Sequence, residues 1–98
     1  MNYKLELLAQ ADDDIDEFSN REKILIYKQF KKILKSPELG KPLGNKNGYD
    51  LSGCRKMYAD SKKIRIVYRI IDEKIIVEVI AVGQRNEMEV YKKASKRI

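Results

Sequence analysis

The sequence predicts an α+β fold: an N-terminal strand and two helices packed on a mostly antiparallel four-stranded sheet, with a short C-terminal helix. Three observations carry this. Two apolar, β-rich runs, Ile64–Ile71 and Ile75–Val82, are joined by Asp72-Glu73-Lys74, which is a hairpin signal. Ile26, Phe30, Ile33 and Leu34 recur at helical spacing. The resulting order, strand-helix-helix-strand-strand-strand-helix, puts helices on one face of an antiparallel sheet.

Taken in order, Tyr3–Leu8 is short and apolar-leaning and suits a first strand, ended by Ala9-Gln10. From Asp12 to Phe18 the acids precede Ile15 and Phe18, which suits a short helix whose acidic start complements the helix dipole. Ser19 and Glu22 form a capping box for a second helix. Ser36-Pro37 ends that helix, because a proline disfavours helical backbone in the residue before it. Residues 38–53 carry Gly40, Pro42, Gly44, Gly48 and Gly53 and read as loop. Cys54–Ala59 is the strand before the hairpin, joined to it by Asp60-Ser61-Lys62-Lys63. Asn86 and Glu89 cap a last helix that runs through Lys96.

The 98 residues suit one domain, 1–98. Charge is divided unevenly. Residues 1–18 hold six acids against Lys4 (−5), and residues 19–98 hold 20 Lys and Arg against 9 acids (+11), giving the net +6. A basic body favours a polyanionic partner, most simply nucleic acid. The single cysteine, Cys54, forms no intrachain disulfide and fits a reducing cytoplasm. No signal peptide is visible at the N-terminus. The apolar runs are too short for a membrane span.

Several chemistries fail on composition. With no histidine and one cysteine, a zinc site lacks ligands. Asp12, Asp14 and Asp16 imitate the start of a calcium loop, but Glu17 stands where glycine is needed and Lys23 where the closing glutamate is needed. The acidic run therefore reads as a solvated helix start. Gly48 and Gly53 have phosphate-loop separation, yet Cys54-Arg55 follows where Lys-Ser/Thr is required. Cys54 has no histidine to activate it and reads as a buried or idle thiol. Acid–base chemistry must then use Lys, Arg, Tyr or carboxylates.

Strand alternation places Lys56 with Tyr58 on one face, and Arg65 with Val67 and Arg69 on one face of the next strand. With a three-residue hairpin loop, Arg65 lies opposite Ala81, and Arg85 shares the parity of Ala81. Like charges across strands repel, so a sheet face with several cations is odd as plain surface. It is natural as a phosphate-binding floor, for which arginine is well suited. Each residue alone has a bland reading. Lys56 or Arg69 is an ordinary exposed charge, Tyr91 a core-edge aromatic in register with Met88, Ser95 and Ile98, and Tyr58 or Tyr68 a good strand former. Only the convergence of Lys56, Arg65, Arg85 and Tyr91 lifts the functional reading.

The motifs RIVY, IDEK, VGQR, EVY and the terminal KRI within Ile64–Ile98 resemble RelE-type toxins of the RelE/ParE superfamily. These are the toxin halves of bacterial type II toxin–antitoxin pairs. The likeness is looser over Ser36–Met57 and the N-terminal half. It implies a microbial-ribonuclease-like fold and ribosome-dependent cleavage of mRNA in the ribosomal A site, without metal or cofactor. The 2′-hydroxyl attacks the adjacent phosphate, leaving a 2′,3′-cyclic phosphate and a 5′-hydroxyl. Carried over by position, the catalytic set is Lys56, Arg65, Arg85 and Tyr91; Tyr58 and Arg69 stand beside it as candidate substrate-binding residues. The family's second strand lysine is Tyr58 here, which brings no positive charge at neutral pH. Tyr91, assisted by Lys56, activates the 2′-hydroxyl in this reading. The implied partners are an antitoxin protein, mRNA and ribosomal RNA on the ribosome, and operator DNA only through the antitoxin complex. No membrane is implied. A ParE-like gyrase inhibitor without nuclease chemistry shares the fold and is one alternative, and a weakly active family member that mainly binds its antitoxin is the other.

Overall fold

Ser19 starts the longest helix as the sequence predicts. Its hydroxyl accepts the Glu22 N–H at 3.2 Å, and the Glu22 carboxylate accepts the Ser19 N–H at 2.9 Å. This helix, α2 (Asn20–Lys35), follows β1 (Lys4–Leu7) and α1 (Ala9–Asp16) in a computed structural model that describes residues 3–46, 48–85 and 88–98. The short strands β2 (Lys41–Pro42), β3 (Asn45–Lys46) and β4 (Tyr49–Asp50) come next. Then follow β5 (Cys54–Ala59), β6 (Ile64–Ile71), β7 (Ile76–Gln84) and α3 (Glu89–Arg97).

The main sheet has the order β1-β7-β6-β5-β2. β1 runs parallel to β7, and the other neighbours are antiparallel. The fold is therefore α+β and mostly antiparallel. The sheet has five strands instead of four, because Lys41 and Pro42 pair with Lys56 and Arg55 along the edge of β5. A proline is tolerated there because an outer strand need not donate on its free side. β3 and β4 form a separate small hairpin in the segment read as loop.

α1 begins at Ala9, three residues before the predicted start. Asp14 then falls inside the helix and on its buried side, at 5% exposure, so the acidic run is not simply a solvated start. α1 and α2 cover one face of the sheet. Ala11, Ile15, Ile26, Phe30 and Ile33 pack there on Ile64, Ile66, Tyr68, Val77, Val79 and Val82. α3 lies with the opposite face, where Val90, Tyr91 and Ala94 pack with Val67, Ile80, Ala81, Leu51 and Cys54. The expectation of helices on one face holds for the first two only. The predicted stripe on α3 also shifts: Met88 and Ile98 are exposed, and Val90, Tyr91 and Ala94 are the buried positions. The predicted cap residue Asn86 lies outside the described residues.

The hairpin between β6 and β7 differs from expectation in two ways that offset one another. The connection is four residues, with a 3-10 turn at Asp72–Lys74 and Ile75 in the left-handed region at φ 55°. A bulge then shifts the register between Val67 and Tyr68, leaving Ile80 as the extra residue on β7. Arg65 consequently faces Gly83 instead of Ala81. The two one-residue shifts sum to two, so the odd-numbered residues from Ala81 onward keep the parity that the sequence assigns to them.

Candidate active site

Tyr58, Arg65 and Gly83 are aligned across β5, β6 and β7 as successive register partners. Gly83 has no side chain, and a Cβ there would stand 3.0 Å from the Cβ of Val90. That gap lets α3 approach the sheet. Its Tyr91 ring then meets the Arg65 guanidinium, 4.3 Å from carbon to ring centroid, which is cation–π geometry.

Three cations surround the Tyr58 ring. Lys56 donates a hydrogen bond from Nζ to the Tyr58 hydroxyl at 3.0 Å and sits 5.2 Å from the ring centroid. The guanidinium carbons of Arg65 and Arg85 lie 5.9 and 5.3 Å from it. The Lys56 hydrogen bond favours the phenolate most, and Arg65 and Arg85 add to it against the opposing cost of burial. Together they bring the Tyr58 hydroxyl from 10.0 down to about 7.

Lys56, Arg65 and Arg85 thus converge, with Tyr58 at their centre. Tyr91 joins the group through Arg65 and is only 2% exposed. Arg69 is not brought to the group. Its Nε donates to the Glu78 carboxylate of the opposite register position at 2.6 Å, further along the same face. Cys54 is buried, and burial pushes its thiol up, as suits an inert side chain. Tyr68 serves the fold: its hydroxyl donates to the Pro37 carbonyl at 2.6 Å and accepts the Gly40 N–H at 2.9 Å.

Beside the tyrosine group opens a cleft of about 590 Å³ lined by Ser61, Lys62, Lys63, Arg65, Gln84 and Arg85. Four of its six lining residues are cationic and none is acidic. A phosphodiester chain has the complementary charge. In sequence, Lys62 and Lys63 stand only as part of the turn that joins β5 to β6. Their position three and two residues before the strand arginine is the signal that could have marked them.

The turn that carries these lysines is unusual. Asp60, Ser61 and Lys62 are consecutive non-glycine residues with φ of 51°, 53° and 69°. Such left-handed residues cost about 1–2 kcal/mol each. The turn is fastened at both ends. The Asp60 carboxylate pairs with Arg21 of α2 at 3.0 Å, and the Arg85 N–H donates to the Lys63 carbonyl at 2.9 Å. Arg85 is held beside Lys63 by its own backbone, which keeps the cationic rim together.

This fold and site can be set beside known proteins. The family described as "ParE toxin of type II toxin-antitoxin system, parDE" matches residues 5–89. The chain belongs to this RelE/ParE family of toxins from type II toxin–antitoxin systems. Its RelE character comes from its relatives. It is 51% identical over 45 residues to the mRNA interferase toxin RelE of Escherichia coli strain K12, covering 46% of this chain and 47% of that protein. The matched stretch thus spans about half the length of that relative. A second Escherichia coli protein, described by its likeness to RelE, is 31% identical over 90 residues, 89% of this chain and 90% of its own. Among solved structures, an arginine double mutant of E. coli toxin RelE in the free state superposes with a TM-score of 0.76 at 32% identity. That match covers 100% of this chain and 99% of that one. The toxin in the intact E. coli RelBE toxin–antitoxin complex gives 0.70 at 30% identity, covering 84% and 95%.

Proposed function

We propose that this protein is the toxin of a type II toxin–antitoxin pair and acts as a ribosome-dependent endoribonuclease on mRNA in the ribosomal A site. The observation that carries this reading is the convergence of Lys56, Arg65 and Arg85 on Tyr58 beside an open cationic cleft. The reaction is attack of a ribose 2′-hydroxyl on the adjacent phosphate, giving a 2′,3′-cyclic phosphate and a 5′-hydroxyl.

Each residue takes a role that its position supports. Arg65, anchored on the Tyr91 ring, stabilises charge on the non-bridging phosphate oxygens. Arg85, on the rim, stabilises the leaving 5′-oxygen. Lys56 polarises the site through Tyr58. Tyr91 is nearly sealed, so it fits the orientation of Arg65 better than proton transfer to a ribose. Arg69, tied to Glu78, binds substrate only if that pair opens. Docking in the ribosome supplies the alignment that a shallow, open cleft does not impose alone.

The protein partner is an antitoxin that carries acidic and extended helical segments, complementary to the +6 charge of this chain, and that covers or displaces the last helix. Operator DNA is contacted through that complex. The test is expression without the antitoxin. Growth stops and messages are cut within codons, and Arg65→Ala with Arg85→Ala relieves both. Unchanged toxicity of the double variant would contradict the assignment.

A gyrase-directed, ParE-like activity is the second reading, favoured by the ParE description of the matching family. DNA-damage signalling with intact messages would establish it over the nuclease.

A further inference from the structure

We propose that Tyr58 is the proton acceptor of the cleavage step, its phenolate oxygen taking the proton of the attacking 2′-hydroxyl. This rests on the nuclease reading above and replaces Tyr91 in that role. A base must meet the ribose, must be able to hold a proton, and must be ready to take one near neutral pH. Tyr91 fails the first condition, because it is 2% exposed with its ring against Arg65. Lys56 is already engaged as the hydrogen-bond donor to the Tyr58 hydroxyl.

Tyr58 meets all three. It is partly exposed on β5, and among the described residues the charged groups set about its ring are cations: Lys56 from its own strand, Arg65 from β6 and Arg85 beyond β7. The carboxylates nearest along the chain and the sheet are engaged elsewhere, Asp60 with Arg21 and Glu78 with Arg69. The cationic ring brings the phenol down to about 7, so the phenolate is within reach at neutral pH. The family's second strand lysine is absent at this position, and a phenolate held by three neighbouring cations supplies basicity that a protonated lysine would lack.

In the step, the 2′-oxygen–phosphorus bond forms as Tyr58 takes the 2′-hydroxyl proton. The phosphorus–5′-oxygen bond breaks, and the 5′-oxygen leaves beside Arg85 with a proton from a solvent water. The hydroxide so formed removes the proton from Tyr58 and restores the phenolate. Arg65 and Lys56 keep their charges throughout.

The experiment is single-turnover cleavage of mRNA in a purified translation reaction across a pH series, with wild type and Tyr58→Phe. It is joined to an ultraviolet phenolate titration of the free proteins. The wild-type rate should climb with pH and level off near 7, and one tyrosine should titrate in that range. In Tyr58→Phe that titration disappears, the rate falls on the order of 10²–10⁴-fold, and the pH-dependent limb is lost. A fluorinated tyrosine placed at 58 should keep activity and move the limb to lower pH. If Tyr58→Phe cleaves within roughly tenfold of wild type with the same limb, the base lies elsewhere and the nuclease reading survives. If wild type cuts no message at all, the nuclease reading falls and takes this assignment with it. A fluorotyrosine protein whose limb does not move also overturns the assignment.

Discussion

Arg97 closes on Asp14 with Nη1 to Oδ2 at 2.7 Å, and the pair stands in for the strand that β7 lacks beyond Val79. β1 stops pairing there, with a last bond from the Leu8 N–H to the Val79 carbonyl. Past it, the Val82 N–H donates to Asp14 Oδ2 at 3.1 Å, and Arg97 donates to the Ile80 carbonyl at 2.9 Å. A carboxylate and a guanidinium thereby satisfy the two backbone groups exposed by the bulge. They also tie α1 to α3 across the edge of the sheet.

Removing one member of that clasp leaves the other poorly compensated. Arg97→Ala should cost about 3 kcal/mol, the lower end of the loss for a broken buried ion pair, because Lys93 stays within 3.7 Å of Asp14. Replacing both residues by leucine should cost less than the sum of the two single changes. Urea unfolding of wild type, Arg97→Ala, Asp14→Leu, Arg97→Leu and the double leucine variant checks this.

Gly83→Ala should act on the site more than on the fold. The new Cβ meets Val90 at 3.0 Å and pushes α3 outward, with an overpacking cost of about 1–3 kcal/mol. Separating Tyr91 from Arg65 should lower the cleavage rate while KM changes little. Adding Val90→Ala should recover part of the rate, as single-turnover kinetics would show.

Lys62 and Lys63 should act as phosphate contacts without chemistry. Lys62→Ala with Lys63→Ala should weaken binding to single-stranded RNA and reduce the slope of log affinity against log salt by up to about 1.4. An unchanged slope would remove both lysines from the interface.

The Tyr58 hydroxyl should also register in stability. Its folded value lies near 7 and its ordinary value is 10.0, so between these the folded chain has released a proton that the unfolded chain still binds. Stability therefore rises as pH rises through this window. It is fully gained above the ordinary value and lost again as pH falls through 7. Wild type should gain stability relative to Tyr58→Phe from pH 7 toward 10, measured by urea midpoints at each pH.

Much of the fold was legible because local signals agreed with the tertiary result. Ser19 and Glu22 cap as their spacing implies, and β5 through β7 alternate about Tyr58 and Arg65 as their parity requires. The bulge at Ile80 was not legible, since nothing in the local pattern separates it from a regular strand. The early start of α1 was hidden because one of its three buried residues is an aspartate, whose partner Arg97 lies 83 residues away. For the site, residue types and parity gathered Lys56, Arg65 and Arg85. They could not tell that Arg69 pairs with Glu78, or that Tyr91 is covered while Tyr58 sits among the cations. Those facts depend on side-chain placement that only the packed sheet decides.

The most direct test is to map the ends of mRNA fragments from a purified translation reaction run with and without ribosomes. The cationic pocket around Tyr58 predicts ribosome-dependent cuts within codons, ending in 2′,3′-cyclic phosphate and 5′-hydroxyl groups, and none from protein carrying both Arg65→Ala and Arg85→Ala. Intact messages, or 5′-phosphate ends with the same yield from the double variant, would contradict it.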